Sequence, residues 1–98
     1  MTITKELNGT ELKVALEGRL DTMTAPELEA AMNPELDSAD NVVFDMKKLD
    51  YVTSAGLRIV LNAKKSVNGR GEVTLRNVSP VIKEVFEITG FAAFLKFE

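Results

Sequence analysis

The sequence contains no cysteine and no histidine among its 98 residues. Without cysteine there are no disulfides, thiol nucleophiles or thiolate metal sites. Without histidine the chain lacks the commonest general base and the commonest transition-metal ligand. Most familiar catalytic sites are therefore excluded, and we expect no catalytic residues, no metal, no cofactor and no enzyme activity.

Positive charge is also scarce, since 12 lysines and arginines are outnumbered by 15 acidic residues, which gives a formal net charge of -3. Binding to nucleic-acid phosphates needs a surplus of clustered cations, so no direct nucleic-acid contact is expected. No segment approaches the roughly 18 apolar residues of a membrane span, and Met1 to Leu12 does not read as a signal peptide. The sequence predicts a cytoplasmic protein without a membrane partner.

The residues that are present have ordinary globular composition, with 45% hydrophobic and 28% charged residues. A chain of this length gives one small cohesive core, because shorter chains bury too little apolar surface to offset chain entropy. We predict a single domain over residues 1–98.

An N-terminal hairpin is the first element indicated. Leu12, Val14 and Leu16 alternate with charged residues, which is the period of a half-buried strand. Asn8-Gly9 before them is a favoured two-residue turn, and Thr2 to Leu7 fits a charged edge strand.

Three helices follow in the predicted order. Thr24 to Glu27 reads as a capping box for a first helix from about Ala25, which Pro34 should kink or divide. The second helix is predicted from Ser54 as N-cap to a stop at Gly69. Ser79-Pro80 starts the third, which Gly90 ends.

Strands alternate with these helices. Val42 to Met46 is a nearly continuous apolar run that predicts a central strand covered on both faces, followed by a loop over 47–53. Val73 to Arg76 and Phe94 to Phe97 predict two more strands, with the phenylalanines in the core and Met23 as a gap filler. The order is typical of an α/β fold: a mixed sheet with an N-terminal hairpin, then alternating helices and strands, with helices packed against the sheet.

The segment from Tyr51 to Leu57 holds the most informative residue, Ser54. A loop after a buried strand delivers this hydroxyl to a helix N-terminus, where free N–H groups and the helix dipole favour a phosphate. Ala55 and Gly56 leave the approach unobstructed. Taken alone, the pattern favours a plain helix cap over a functional site.

Three segments resemble the STAS-domain anti-anti-sigma factors, also called anti-sigma factor antagonists. Residues 53–57 are similar to the Asp-Ser-Ser/Thr-Gly-Leu motif of that family, with Ser54 at its phosphorylated position. Residues 18–21 resemble its Gly-x-Leu-Asp turn, and residues 77–91 resemble its C-terminal helix. The resemblance runs over the whole chain in order and implies the STAS fold.

The resemblance also implies a partner switch. The unphosphorylated form would bind an anti-sigma factor serine kinase and free a sigma factor. The kinase would inactivate the chain at Ser54 with its own Mg-ATP, and a PP2C-type phosphatase would restore it. The expected partner-binding residues are Asp21, Thr53, Ser54, Ala55, Gly56 and Arg58.

Several alternatives stay open at this point. Thr53, Ala55 and Arg58 depart from the family motif, and Thr53 is a competing acceptor. Asp21 fits a turn-capping role as well as a partner surface. A STAS scaffold without phosphorylation, such as a stressosome or lipid-transport subunit or a ligand sensor, is the main rival function. A small enzyme acting on phosphorylated substrates is a weaker one, and weak homodimerisation is undecided.

Overall fold

The computed structural model describes residues 1–98 as five strands and three α-helices, with one short 3₁₀ helix. The strands are β1 (Thr2–Asn8), β2 (Glu11–Leu20), β3 (Asn41–Val52), β4 (Val73–Arg76) and β5 (Lys96–Phe97). The helices are α1 (Ala25–Leu36), α2 (Ser54–Val67) and α3 (Pro80–Ile88), and the 3₁₀ helix covers Phe91–Phe94. None of these helices combines the length and the apolar character needed to cross a membrane.

The five strands form one sheet in the order β1-β2-β3-β4-β5. β1 runs antiparallel to β2, and every other neighbouring pair is parallel. The predicted α/β fold, with a hairpin followed by alternating helices and strands, is confirmed. Each crossover steps to the next strand in the same direction, and because such crossovers are right-handed, α1, α2 and α3 pack on the same face.

Burial along the central strands shows this one-sided packing. Leu12 and Val14 of β2 lie beside Val42 and Phe44 of β3, and all four belong to a core cluster of 22 buried residues. Val43 points to the opposite face and is buried outside that cluster. At Val42 to Phe44 the strand is thus buried on both faces, as predicted, and one of these faces belongs to the core cluster.

The hairpin turn is shifted by one residue from its predicted place. Asn8 pairs with Glu11, so Gly9 and Thr10 are the two turn residues. Gly9 has φ +62°, a left-handed conformation that glycine adopts without steric cost. Asn8 instead ends the first strand.

The predicted loop over 47–53 was also wrong, because β3 continues to Val52. The long strand β2 pairs with it to the end, and Leu20 lies opposite Val52. Two shifts of register, between Ala15 and Glu17 and between Gly18 and Arg19, interrupt the ladder. Bulges of this kind break the alternation of apolar residues, which is why the sequence pattern indicated a loop.

Helix α1 begins at Ala25 as predicted, but without the predicted capping box. The Thr24 side chain makes no cap hydrogen bond; its hydroxyl donates to the Arg19 carbonyl at 2.7 Å and accepts from the Asp21 N–H at 2.9 Å. Pro34 does not divide the helix, which continues to Leu36. Pro34 lies in the last turn, so the N–H that it lacks removes one bond near a helix end.

The prediction for the C-terminal region is confirmed for α3 and only partly confirmed for the last strand. Ser79 caps α3 by accepting from the Ile82 N–H at 3.4 Å, and the helix ends before Thr89 and Gly90. The final strand is only Lys96–Phe97, because the preceding residues form the 3₁₀ helix. Phe94 and Met23 were wrongly assigned to the interior, since their side chains are exposed.

Candidate functional site

The residues singled out by the sequence meet at the carboxyl ends of β2 and β3. Leu20 and Val52 are paired at these ends. One residue further, the Thr53 N–H donates to the Leu20 carbonyl at 2.9 Å. The turn that begins at Asp21 and the helix that begins at Ser54 therefore leave the sheet at the same edge, where ligands of parallel sheets commonly bind.

Ser54 is the first residue of α2 and is exposed. The prediction that it is the N-cap was off by one residue, because Thr53 has the extended backbone of an N-cap (φ −103°, ψ 177°). The Thr53 carbonyl accepts the first helical bond, from the Leu57 N–H at 3.0 Å. The Ser54 hydroxyl is thereby presented outward, and it makes no side-chain hydrogen bond within the chain.

The first turn of α2 has no internal acceptor for its free N–H groups. No side chain caps it, and no acidic residue lies in it. The Thr53 hydroxyl, which could serve as a cap, is buried and has no hydrogen-bond partner. The positive end of the helix dipole is consequently not neutralised by the chain itself.

Gly56 holds the start of α2 against the sheet. It is buried, and a Cβ placed on it would lie 2.5 Å from Leu20 Cγ and 2.8 Å from Val52 Cγ2. Only a residue without a side chain permits this approach. The sequence suggested an open approach to Ser54 at this position, whereas the structure places Gly56 in the core, where it positions the serine.

Asp21 organises the turn before α1. Its carboxylate accepts from the Met23 N–H at 3.0 Å, the Thr24 N–H at 3.1 Å and the Thr24 hydroxyl at 3.2 Å. The backbone hydrogen bond from Thr24 is the main cause that lowers the pKa of Asp21 below its usual value, and the charge of Arg19 adds to it. The turn-capping role of Asp21 is therefore present in the structure.

Arg58 follows Ser54 by one helical turn, so both side chains lie on the same exposed side of α2. It forms no ion pair with another residue of the chain. Arg58 and Ala55 line a cavity of about 240 Å³ against the start of α1, where Pro26 and Glu29 lie. The serine thus lies at the helix N-terminus beside a cation, and the cavity begins at the next residue, Ala55.

Two exposed residues at this edge were missed by the sequence analysis. Met23 lies between Asp21 and α1 with 82% of its surface exposed. Tyr51, near the end of β3, stacks under the Arg19 guanidinium, whose carbon is 5.4 Å from the ring centroid. The signal for Met23 was its position in the turn between Asp21 and α1, where no strand or helix period places it in the core.

Asp45 is the second carboxylate with a defined structural role. It accepts from the Asn77 side-chain amide at 3.0 Å and from the Lys47 N–H at 3.1 Å. The bond from Asn77 is the main cause that lowers the pKa of Asp45. The contact ties β3 to the end of β4, and no group of three or more acidic side chains gathers into a metal site.

A family model described as the STAS domain matches residues 2–98. Over 82 residues the chain is 40% identical to the Bordetella bronchiseptica protein BtrV, whose name describes an anti-sigma factor antagonist; the match covers 82% of this chain and 71% of BtrV. It is 32% identical over 80 residues to the anti-sigma-B factor antagonist of Staphylococcus aureus strain NCTC 8325, covering 80% of this chain and 74% of the relative.

The fold also matches solved structures of this kind. The anti-sigma factor antagonist SpoIIAA in its unphosphorylated form superposes with a TM-score of 0.86 at 19% identity, covering 99% of this chain and 88% of SpoIIAA. The phosphorylated form of SpoIIAA, described as a Bacillus cell fate determinant, gives a TM-score of 0.77. At this identity the match shows the fold alone. Together with the family model and the two relatives, these findings show that the chain belongs to the STAS domain family of anti-sigma factor antagonists.

Proposed function

We propose that this chain binds an anti-sigma factor serine kinase through the surface around Ser54, and that phosphorylation of Ser54 prevents the binding. The observation that carries the proposal is the exposed, unbonded hydroxyl of Ser54 at the first position of α2. The names of the relatives identify antagonists of anti-sigma factors. Release of the sigma factor follows when the unmodified chain occupies the kinase.

The size of the electrostatic terms supports a block to binding rather than a change of fold. A phosphate adds about -1.5 to -2 charges, and its interaction with a helix N-terminus is typically worth about 0.3 to 1 kcal/mol. Small domains are stable by roughly 5 to 15 kcal/mol. The fold is therefore kept, whereas burying a dianion against a partner costs several kcal/mol of binding.

Arg58 gives the proposed switch a second component. In the unmodified chain its guanidinium has no acidic partner and is free to pair with a carboxylate of the kinase. A phosphate on Ser54, one turn away, would draw the same guanidinium into an internal pair. Phosphorylation would then place a charge that the complex must bury, and would also remove a contact that the kinase uses.

The chain's role in this scheme is regulatory, and the catalytic groups belong to its partners. The kinase supplies ATP and magnesium, and a PP2C-type phosphatase removes the phosphate from Ser54. Asp21 shapes the turn beside the serine, Gly56 sets the position of α2, and Thr53, Ala55 and Arg58 adjust the surface that the kinase meets. We propose that this exchange takes place in the cytoplasm, where sigma factors act.

The test is phosphorylation by the cognate kinase, followed by intact-mass and peptide mass spectrometry. We expect one phosphate on Ser54 in the parent chain and none in Ser54→Ala. Thr53→Val should still accept one phosphate, because the buried Thr53 hydroxyl is poorly presented to a kinase. Ser66→Ala is a matched control on the same helix.

Binding is measured in parallel by titration calorimetry with the kinase. Unmodified chain and Ser54→Ala should bind, and the phosphorylated chain should bind at least about a hundredfold more weakly. A chain that neither binds nor is modified, although it is folded, would instead be a scaffold without a phosphorylation switch.

A further inference from the structure

An apolar groove lies at the opposite end of α2 from Ser54, and the proposed function does not use it. Its volume is about 320 Å³, between the last turns of α2 and the 3₁₀ helix. Leu61, Phe91 and Phe94 form its apolar walls, and Lys64 and Lys65 lie at its rim. Phe94 is 62% exposed, which is unusual for a phenylalanine in a small domain.

The charge at this groove is opposite to that of the whole chain. Lys64 and Lys65 form no ion pair within the chain, whose net charge is -3. Their place in the last turn of α2 suits the helix dipole. That dipole accounts for two cations at a helix end, but it does not account for an exposed phenylalanine beside them.

A complementary surface is present on α3 of the same chain. Ile82 and Phe86 face the core and Val85 packs half-buried against it, while Val81 and Ile88 are exposed. Val81 is 58% exposed and Ile88 is 76% exposed. With Glu84 these residues follow the spacing i, i+3, i+4, i+7, which defines a continuous stripe on a helix. We call Val81, Glu84, Val85 and Ile88 the α3 stripe.

We propose that a second copy of this chain docks here, with the α3 stripe of each protomer in the groove of the other. The stripe brings apolar residues and an acidic residue to a groove with apolar walls and a basic rim. The stripe ends at Ile88 and the groove begins at Phe91, so the two surfaces adjoin. Adjoining complementary surfaces permit a two-fold dimer that uses both contacts at once.

This dimer goes beyond the proposed function and leaves its site free. Lys64 follows Ser54 by ten residues of helix, a rise of roughly 15 Å. Each protomer would therefore present its own Ser54 surface, and phosphorylation would not alter the dimer contact. The groove is small, so a weak, concentration-dependent dimer is expected.

Sedimentation velocity over a range of concentrations tests the proposal. The parent chain should shift from monomer to dimer as its concentration rises. Glu84→Lys, and separately Lys64→Glu with Lys65→Glu, should each weaken the dimer at least about tenfold, because like charges then face each other. Combining Glu84→Lys with Lys64→Glu and Lys65→Glu should restore it. All these positions are half-buried or exposed, so the fold is retained.

Two further variants keep the outcome decisive. Phe94→Asp should abolish the dimer, and Ser54→Asp should leave it unchanged. A parent chain that stays monomeric at millimolar concentration overturns the proposal, and so does a triple charge reversal that restores nothing. If Phe94→Asp weakens kinase binding by a monomeric chain, the groove belongs to the kinase and the second-copy proposal is wrong, while the proposal for Ser54 stands.

Discussion

The Thr53 hydroxyl, buried without a hydrogen-bond partner, carries a local cost at the residue scale. Replacing a buried, unpaired hydroxyl by a methyl group of the same shape removes a desolvation penalty. We expect Thr53→Val to leave the free energy of unfolding unchanged or to raise it by up to about 1 kcal/mol. Urea unfolding followed by circular dichroism measures the change.

Thr24→Val is the matched control for this substitution. The Thr24 hydroxyl is paired with both the Arg19 carbonyl and the Asp21 N–H. Its loss should therefore lower the free energy of unfolding by about 1 to 3 kcal/mol. A comparable loss in Thr53→Val would mean that the Thr53 hydroxyl finds a partner in solution.

Asp21 gives the chain a predictable response to acid. Its pKa is lowered in the folded chain, first of all by the hydrogen bond from the Thr24 N–H. A carboxylate with a lowered folded pKa contributes stability above its unfolded pKa and loses that contribution as pH falls through the folded pKa. We expect the urea midpoint to fall between roughly pH 5 and pH 2, and to fall less steeply in Asp21→Asn.

Asp45 is the internal comparison for this acid response. Its pKa is lowered by the Asn77 amide at a distant part of the sheet, so Asp45→Asn should remove a separate part of the same acid sensitivity. The two effects should add, because the sites share no hydrogen-bond partner. An unchanged pH profile in both variants would show that neither carboxylate is perturbed in solution.

At the scale of elements, the start of α2 is held by the close approach of Gly56 to β2 and β3. A methyl group here would lie 2.5 Å from Leu20 Cγ. Gly56→Ala should lower the free energy of unfolding by about 1 to 3 kcal/mol through overpacking. It should also slow the phosphorylation of folded chain, because α2 must shift together with Ser54.

Val73→Ala separates these two effects. Val73 is buried at the start of β4, away from the carboxyl ends of β2 and β3. Its truncation should cost about 2 kcal/mol without changing the kcat/KM of the kinase for folded chain. Equal slowing in both variants would contradict a positioning role for Gly56.

The elements themselves were mostly predictable from the sequence, and the exceptions have physical reasons. Ser79-Pro80 and Gly90 marked both ends of α3, because capping and left-handed turns depend on local residue types. The end of β3 was missed because pairing with β2 and its bulges, rather than local pattern, keeps residues 47–52 extended. Thr24 was misassigned since it bonds a carbonyl five residues earlier, across a turn that no capping pattern describes.

The candidate site was predictable in position but not in geometry. The motif around Ser54 located the serine at a helix start, because the start of a helix depends on residues that are adjacent in sequence. The structure packs Gly56 against the core, buries the Thr53 hydroxyl and exposes Met23. All three features depend on the way β2 and β3 end side by side. Contacts between segments that are distant in sequence leave no local pattern.

At the scale of the whole molecule, phosphorylation should leave the architecture unchanged. The core cluster of 22 residues lies between the sheet and the helices, whereas Ser54 is exposed at the sheet edge. Amide hydrogen exchange should show equal protection of β3 and α3 in both forms, with changes confined to the first turn of α2 and to the turn at Asp21. Loss of protection in the central strands would mean that the switch acts by unfolding.

The Arg58→Ala variant tests whether Arg58 pairs with the phosphate on Ser54. If Arg58 pairs with the phosphate, the modified parent chain should gain up to about 1 kcal/mol more stability on phosphorylation than the modified variant. The difference should shrink at high salt, because exposed charges are screened. An equal gain in both would assign the stabilisation to the helix N-terminus alone.

The close contact at Gly56 also bears on how this domain can diversify. It fixes the backbone from the inside, so the exposed side chain of Arg58 can change without disturbing the core. Duplicated genes can therefore acquire different surfaces on one unchanged frame. Antagonists that share this frame can then differ in the partners they bind while they keep one fold.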